Sequence, residues 1–174
     1  MIGDVIYKII RMKDSIQKIL IAADDDVQCE WPLEFNREIA LDRVRAIQPI
    51  LEKTLDSNLD LDDSIQDASY FASLALWKYV PPDPNLYTAP GIERGGTNYA
   101  VIDILFSSFG NLVTIGSSVA PKEQFPAEKI TRIVKVLSEN GFVFISEQDL
   151  FEKYSGKNPY FSESTWGGRF FSYL

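Results

Sequence analysis

The chain has 174 residues, of which 45% are hydrophobic, and this is enough to bury the core of a single domain. Its 25 acidic and 17 basic residues give a formal net charge of −8, which disfavours nucleic-acid binding and favours a basic partner. The chain has no histidine and one cysteine, Cys29, which excludes histidine-based catalysis, histidine-ligated zinc sites and an intrachain disulfide.

The negative charge is concentrated in the first half of the chain. Residues 1–98 carry 17 acidic and 10 basic side chains, against 8 and 7 in residues 99–174. No apolar stretch approaches the roughly 18–20 residues that cross a bilayer. Asp4 lies where a signal peptide would carry positive charge. These features and the single cysteine predict a soluble, cytoplasmic protein that binds no membrane.

Residues 1–57 are predicted to form a helical hairpin. Over residues 5–23, apolar side chains recur at alternating spacings of four and three, as on one face of a helix, and the aspartates at 24–26 predict its end. A second helix is predicted to open at Pro32, because proline is favoured in the first helical turn. Its apolar face continues to Leu55, and we expect Pro49 to kink or split it near Arg45.

Residues 64–77 fit either a helix or a strand. Ser64 and Asp67 are spaced to cap a helix, whereas the alternation of apolar side chains up to Leu76 favours a strand. We expect a strand, because the hairpin that follows needs a third strand for stability. Residues 78–98 contain four prolines and three glycines, which predicts a long loop.

Two apolar runs joined by Ser-Phe-Gly-Asn predict a β-hairpin over residues 99–115. Alternate residues of 99–107 are apolar, which is typical of a half-buried strand. A phosphate-binding loop would carry several glycines and lead into a helix, whereas Gly110 stands alone here and a second apolar run follows. We therefore predict that Gly110 takes the left-handed conformation in the turn.

The last third of the chain predicts a helix, a short strand, a second helix and a final strand. The first helix opens at Pro126 and is stopped by Gly141, and residues 142–145 form a buried strand. Ser146 and Asp149 form a capping box for a helix that runs to about residue 154, and residues 168–174 close the sheet.

The predicted fold class is therefore α+β, in one domain over residues 1–174. The N-terminal helical hairpin is followed, over residues 64–174, by an antiparallel sheet packed against one or two helices.

Aspartates are crowded between residues 56 and 67. The spacing of Asp56, Asn58, Asp60, Asp62 and Asp67 matches that of the ligands of a calcium-binding loop. However, Leu61 stands where that loop needs glycine, so we predict no metal ion, and no cofactor is assigned. Instead, we predict a docking surface for a basic partner protein, formed by Asp56, Asp60, Asp62, Asp63 and Asp67, with a solvated acidic linker as the alternative.

Asp103 is an acidic residue with apolar neighbours inside a predicted strand. We expect it on the exposed face of the sheet, and otherwise in a contact or a site. A carboxylate-based enzyme also stays open as a function, but the sequence does not single out a catalytic pair among the 25 acidic residues.

Three stretches of the chain resemble segments of small bacterial proteins of the polymorphic-toxin immunity type. They are DASYFASL at 67–74, FSSFGNLVTI at 106–115 and WGGRFFSYL at 166–174. The resemblance implies a cytoplasmic, non-enzymatic inhibitor that docks on a toxin domain. The acidity of the chain agrees with this, because toxin domains that act on nucleic acids are commonly basic. The alternatives are an accessory or structural domain without inhibitory activity and the carboxylate-based enzyme.

Overall fold

The structure is a computed structural model that describes residues 14–81, 97–116 and 125–172. The helices are α1 (residues 14–23), α2 (Arg37–Leu55), α3 (Ala127–Glu139), α4 (Glu147–Leu150) and α5 (Trp166–Phe170). The strands are β1 (Asp60–Asp62), β2 (Tyr70–Val80), β3 (Thr97–Ser107), β4 (Leu112–Gly116) and β5 (Val143–Phe144). The predicted α+β class, with helices before the sheet, is confirmed. Within the described residues, no helix is both long enough and apolar enough to cross a bilayer.

The five strands form one mixed sheet in the order β1-β2-β3-β4-β5. The first four strands are antiparallel, as predicted for β2, β3 and β4, whereas β1 was not predicted as a strand. The last strand was expected to be antiparallel as well, but β5 pairs with β4 in parallel. The reason is that α3 lies between these two strands in the chain, and a helical crossover returns the backbone to the same end of the sheet.

Helices α2 and α3 cover one face of the sheet and form the main core. The buried residues of α2 are Leu41, Val44, Ile47, Leu51 and Leu55, which recur with the period of a helix. Ile133 and Leu137 of α3 join them. These side chains pack against alternate residues of the sheet, such as Leu74 on β2 and Ile104 on β3. The intervening residues of the strands therefore face the other way.

A second apolar cluster forms between α1 and the C-terminal third of the chain. Leu20 of α1 is buried with Phe109, Leu112, Trp166 and Phe170. This cluster surrounds Arg169, whose side chain is fully buried. The cluster therefore packs α1, near the start of the described chain, against α5, near its end.

Arg169 is held by a buried ion pair with Asp24. Its Nε donates to Asp24 Oδ1 at 2.7 Å, and its guanidinium lies 4.1 Å from the centre of the Phe109 ring. Asp24 Oδ2 also accepts hydrogen bonds from the Tyr154 hydroxyl at 2.5 Å and from the Lys157 N–H at 2.7 Å. Burial, followed by the hydrogen bond to Asp24, raises the pKa of Tyr154 to about 12. The sequence pattern indicated only that α1 ends here, so this structural role of Asp24 was missed.

The hairpin turn has the predicted conformation. Gly110 has a φ of +58°, and a β-carbon there would lie 2.6 Å from that of Ala23. The strand expected within 64–77 is also confirmed, as β2, and it continues to Val80 in the segment expected to be a loop. Residues 82–96 of that predicted loop lie outside the described residues, as do residues 5–13 of the first predicted helix.

The second helix differs from its prediction in where it starts, and of the two outcomes expected at Pro49, a kink or a split, the split is absent. It begins at Arg37 rather than at Pro32, because the Asn36 side chain accepts a hydrogen bond from the Ile39 N–H and caps the helix. The helix is also not split at Pro49. Pro49 removes the donor for the Arg45 carbonyl, but both residues lie on the exposed side, where water can hydrate that carbonyl.

The C-terminal segment also differs from its prediction. The strand expected at 168–174 is not found: residues 168–170 belong to helix α5, residues 171–172 form a bend, and residues 173–174 lie outside the described part. Trp166 and Phe170 are four residues apart and stack on one face of the helix, a spacing that a strand would not bring together. The Ser146 cap is confirmed, but α4 ends at Leu150 rather than near residue 154.

Candidate functional site

The face of the sheet opposite α2 and α3 carries a groove with a volume of about 440 Å³. It is lined by Asp60, Leu61, Asp62, Ser64, Ile65, Tyr70, Ser73, Ala75, Trp77, Asp103 and Leu105. Three of these residues are aspartates, and the described lining contains neither lysine nor arginine. We call this feature the acidic groove.

The strand register brings the three carboxylates together. Asp60 on β1 and Asp103 on β3 are both paired with Ala75 on β2, from opposite sides. Residues paired across strands point to the same face of a sheet, and strands lie about 4.8 Å apart, so Asp60 and Asp103 stand about 10 Å apart. Ala75 fills little of the space between them, and Gly116, the partner of Asp103 on β4, has no side chain.

Asp62 lies on the same face of the sheet as Asp60, two residues further along β1. It is paired with Ser73, which is paired with Leu105 on β3. Both the N–H and the hydroxyl of Ser64 donate to Asp62 Oδ1, at 2.9 and 2.7 Å. These hydrogen bonds fix the orientation of the Asp62 carboxylate in the groove.

Asp103 has the least favourable environment of the three carboxylates. Its Oδ1 atom is buried and has no hydrogen-bond partner among the described residues. Burial is the main cause that raises the pKa of this carboxyl; the Ser73 hydroxyl opposes the shift by hydrogen bonding, and the charge of Asp62 adds to it. An ionised carboxylate held in this way destabilises the folded protein unless a cation approaches it.

Aromatic side chains stand beside the carboxylates on β2. Trp77 lines the groove and is 51% exposed, and Tyr79, on the same face of the strand two residues further on, is 59% exposed. Exposed aromatic rings beside carboxylates suit a lysine or arginine side chain, which can contact the ring face and pair with the acid.

The other predicted docking residues are placed elsewhere. Asp56 ends α2 in the left-handed conformation, with a φ of 54°. Asp63 forms an ion pair with Arg45 at 3.0 Å, and Asp67 has a φ of 52° and does not line the groove. The structure therefore brings Asp60, Asp62 and Asp103 together and separates the remaining three.

The segment that resembles a calcium-binding loop in its spacing is not folded as one. Asp60 and Asp62 belong to strand β1 rather than to a turn. In the described ranges, no group of three or more histidine, cysteine, aspartate or glutamate residues is arranged to hold a metal ion.

The contribution of β2 to the groove was missed by sequence reasoning. The alternation in this strand was noted for its apolar face, whereas Ser73, Ala75 and Trp77 form the opposite face. Their pattern of a small or polar residue at every second position, ending in an aromatic one, was the available signal.

Comparison of the chain with protein-family models, with curated proteins and with solved structures finds no match. Three stretches singled out in the sequence, at 67–74, 106–115 and 166–174, meet around Ser69. The Ser69 N–H donates to the Ser172 carbonyl at 3.0 Å, and the Ser107 hydroxyl donates to the Ser69 carbonyl at 3.2 Å. These contacts join the start of β2, the end of β3 and the segment after α5.

Proposed function

We propose that this protein is a non-enzymatic binding protein that docks a basic partner in the acidic groove, as an immunity protein of the cytoplasm would inhibit a toxin domain. The observation that carries the proposal is the buried, unpartnered Oδ1 atom of Asp103 in a groove with no described basic lining residue. A lysine or arginine of the partner would supply the missing hydrogen bond and compensate the charge.

The arrangement of the groove supports an interface with a charged centre. Asp60 and Asp62 are at the edge strand β1, where they are accessible to an approaching partner. Asp103 lies deeper, because β3 is flanked on both sides by strands. Charges at the edge are expected to control the rate of association, and the buried charge is expected to control dissociation.

Trp77 supplies the apolar part of such an interface. A large aromatic side chain that is half exposed beside a groove loses contact with water when a partner covers it. Tryptophan is among the residues that contribute most to binding energy in protein interfaces. Trp77 is therefore the expected anchor of the complex, beside the carboxylates.

One observation favours a second candidate function, a carboxylate-based enzyme. A general acid must carry a proton, and a carboxyl whose pKa is raised by burial keeps its proton to a higher pH. Burial raises the pKa of Asp103 in this way. We favour binding, because exposed aromatic side chains and edge carboxylates form an open surface rather than an enclosed site. The remaining alternative, an accessory or structural domain, would have no partner that depends on the groove.

Affinity purification with three matched baits tests the proposal. The baits are the wild type, a groove variant (Asp60→Asn, Asp62→Asn, Asp103→Asn) and a control variant with the same charge change at exposed sites (Asp26→Asn, Glu38→Gln, Glu147→Gln). We expect a basic protein that the wild type and the control retain and the groove variant loses. Equal retention by the groove variant would contradict the proposal.

A further inference from the structure

A second concave site lies between the start of α2 and the turn that joins β3 to β4, with a volume of about 400 Å³. It is lined by Glu34, Phe35, Asn36, Ile39, Ala40, Arg43, Phe71, Ser107, Ser108, Gly110, Asn111 and Phe142. None of these described residues lines the acidic groove. We call this site the aromatic cleft, after its three phenylalanines. Its volume falls in the range of small-molecule sites.

Arg43 brings a positive charge to the aromatic cleft. Its Nη1 donates to Asn111 Oδ1 at 2.5 Å, and its guanidinium lies 4.7 Å from the centre of the Phe142 ring. Its Nη2 lies 3.5 Å from each of the carbonyl oxygens of Asn140 and Gly141. No carboxylate of the described residues forms an ion pair with Arg43. The guanidinium is therefore oriented by neutral groups and keeps donors for an anion.

Ser108 brings an unused polar group to the same site. The residue is 6% exposed, and its hydroxyl is buried and has no hydrogen-bond partner among the described residues. The hydroxyl of the preceding residue, Ser107, donates to the Ser69 carbonyl at 3.2 Å and accepts from the Phe109 N–H at 3.1 Å. Since a buried hydroxyl without a partner destabilises the fold, Ser108 needs an explanation that Ser107 does not.

We propose that the aromatic cleft binds a small apolar monocarboxylate. Arg43 would pair with the carboxylate, and the Ser108 hydroxyl would donate a further hydrogen bond to the ligand. The rings of Phe35, Phe71 and Phe142 would contact its apolar body. The cleft also lies at the N-terminal end of the 19-residue helix α2, where the helix dipole favours a negative charge.

Glu34 limits the charge of the ligand. It is the one carboxylate among the described lining residues, and it is exposed. The first carboxylate of the ligand would pair with Arg43. A second negative charge would then have no cation to pair with and would be repelled by Glu34. A ligand with one carboxylate is therefore favoured over a dicarboxylate or a phosphate ester.

Titration calorimetry with phenylacetate as the probe tests the site, with phenylacetamide as the neutral analogue of the same shape. We expect saturable binding of phenylacetate at one site and at least about tenfold weaker binding of the amide, because the charge-assisted hydrogen bonds are lost. The variant Arg43→Gln should also weaken phenylacetate binding by about tenfold or more. Arg45→Gln is the matched control, because Arg45 lies on the same helix but pairs with Asp42 and Asp63.

Ser108→Ala provides a test that does not depend on Arg43. The substitution breaks no hydrogen bond within the described protein, so the melting temperature should be unchanged or higher, while phenylacetate binding weakens by about threefold to tenfold. No saturable binding by the wild type at about 10 mM phenylacetate, where weak ligands are still detected, would overturn the proposal. Equal affinities of the wild type and Ser108→Ala, or equal binding of acid and amide, would overturn it as well.

Discussion

Replacing Asp103 with asparagine should stabilise the protein at neutral pH and weaken partner binding in the acidic groove. The wild-type carboxylate holds a buried Oδ1 atom with no described hydrogen-bond partner, and a buried unsatisfied polar group costs about 1–3 kcal/mol. Asparagine has nearly the same shape and no charge. The asparagine amide is still polar and still needs water or a hydrogen-bond partner. We therefore expect the unfolding free energy to rise by about 1 kcal/mol, the lower end of that range.

The pH dependence of this gain follows from the raised pKa of Asp103. The folded-state pKa lies above the ordinary value of 3.8, so the folded protein binds the proton more tightly than the unfolded chain does. The contribution of Asp103 to stability therefore falls as the pH rises from 3.8 towards the folded-state pKa, and stays low above it. The Asp103→Asn variant has no carboxyl at this position and does not lose stability in this way. It should therefore be more stable than the wild type at neutral pH, and this difference should vanish at a pH where the Asp103 carboxyl is protonated in both the folded and the unfolded protein.

Urea denaturation followed by circular dichroism, at neutral pH and below the ordinary pKa of aspartate, measures both effects. Asp26→Asn is the control, because Asp26 is exposed and the same charge is removed. A lower stability of Asp103→Asn at neutral pH would refute the reasoning. So would a gain of the same size at both pH values, because it would then be unrelated to the charge.

Two further substitutions test the fold. Arg169→Met should lower the unfolding free energy by about 3–5 kcal/mol, because Asp24 is left buried without its cation; a loss below about 1 kcal/mol in urea denaturation would show that the pair is not buried as described. Gly110→Val should destabilise by more than about 2 kcal/mol, since a β-branched residue is strained at a φ of +58° and its β-carbon would lie 2.6 Å from that of Ala23. An unchanged melting temperature of this variant would contradict the turn assignment.

The hairpin and the main helices were predictable because their signals are local. The apolar alternation before Gly110 and the helical spacing that ends at Leu55 each arise within one element, and both are confirmed. The parallel pairing of β5 follows from α3, which lies between β4 and β5 in the chain, and the short helix α5 is packed against distant residues such as Leu20 and Phe109. No pattern within these short segments reports such contacts, so their predictions were wrong.

The acidic groove was only half predictable from the sequence. Asp62 and Asp63 are neighbours in one acidic run, yet Asp62 lines the groove and Asp63 pairs with Arg45. Recognising β1 would have separated them, because Asp62 is the last residue of the strand and Asp63 follows its end. The juxtaposition of Asp60 with Asp103 depends on the register of three strands, which the composition of the segments does not determine.

The buried pair of Asp24 and Arg169 was hidden for a related reason. Asp24 opens a run of three aspartates, and such a run ordinarily indicates an exposed segment. Only the packing of α1 against the C-terminal cluster distinguishes Asp24 from the exposed Asp26 two residues later.

The association rate of the purified basic partner, measured at several salt concentrations, tests the central claim most directly. For the variant Asp60→Asn, Asp62→Asn, Asp103→Asn we expect association at low salt to be slower by about tenfold and to depend less on salt, because electrostatic steering is removed. The control variant, Asp26→Asn, Glu38→Gln, Glu147→Gln, removes the same charge outside the groove and should associate at the wild-type rate. Association of the groove variant at the wild-type rate in low salt would contradict the claim that the acidic groove is the docking site.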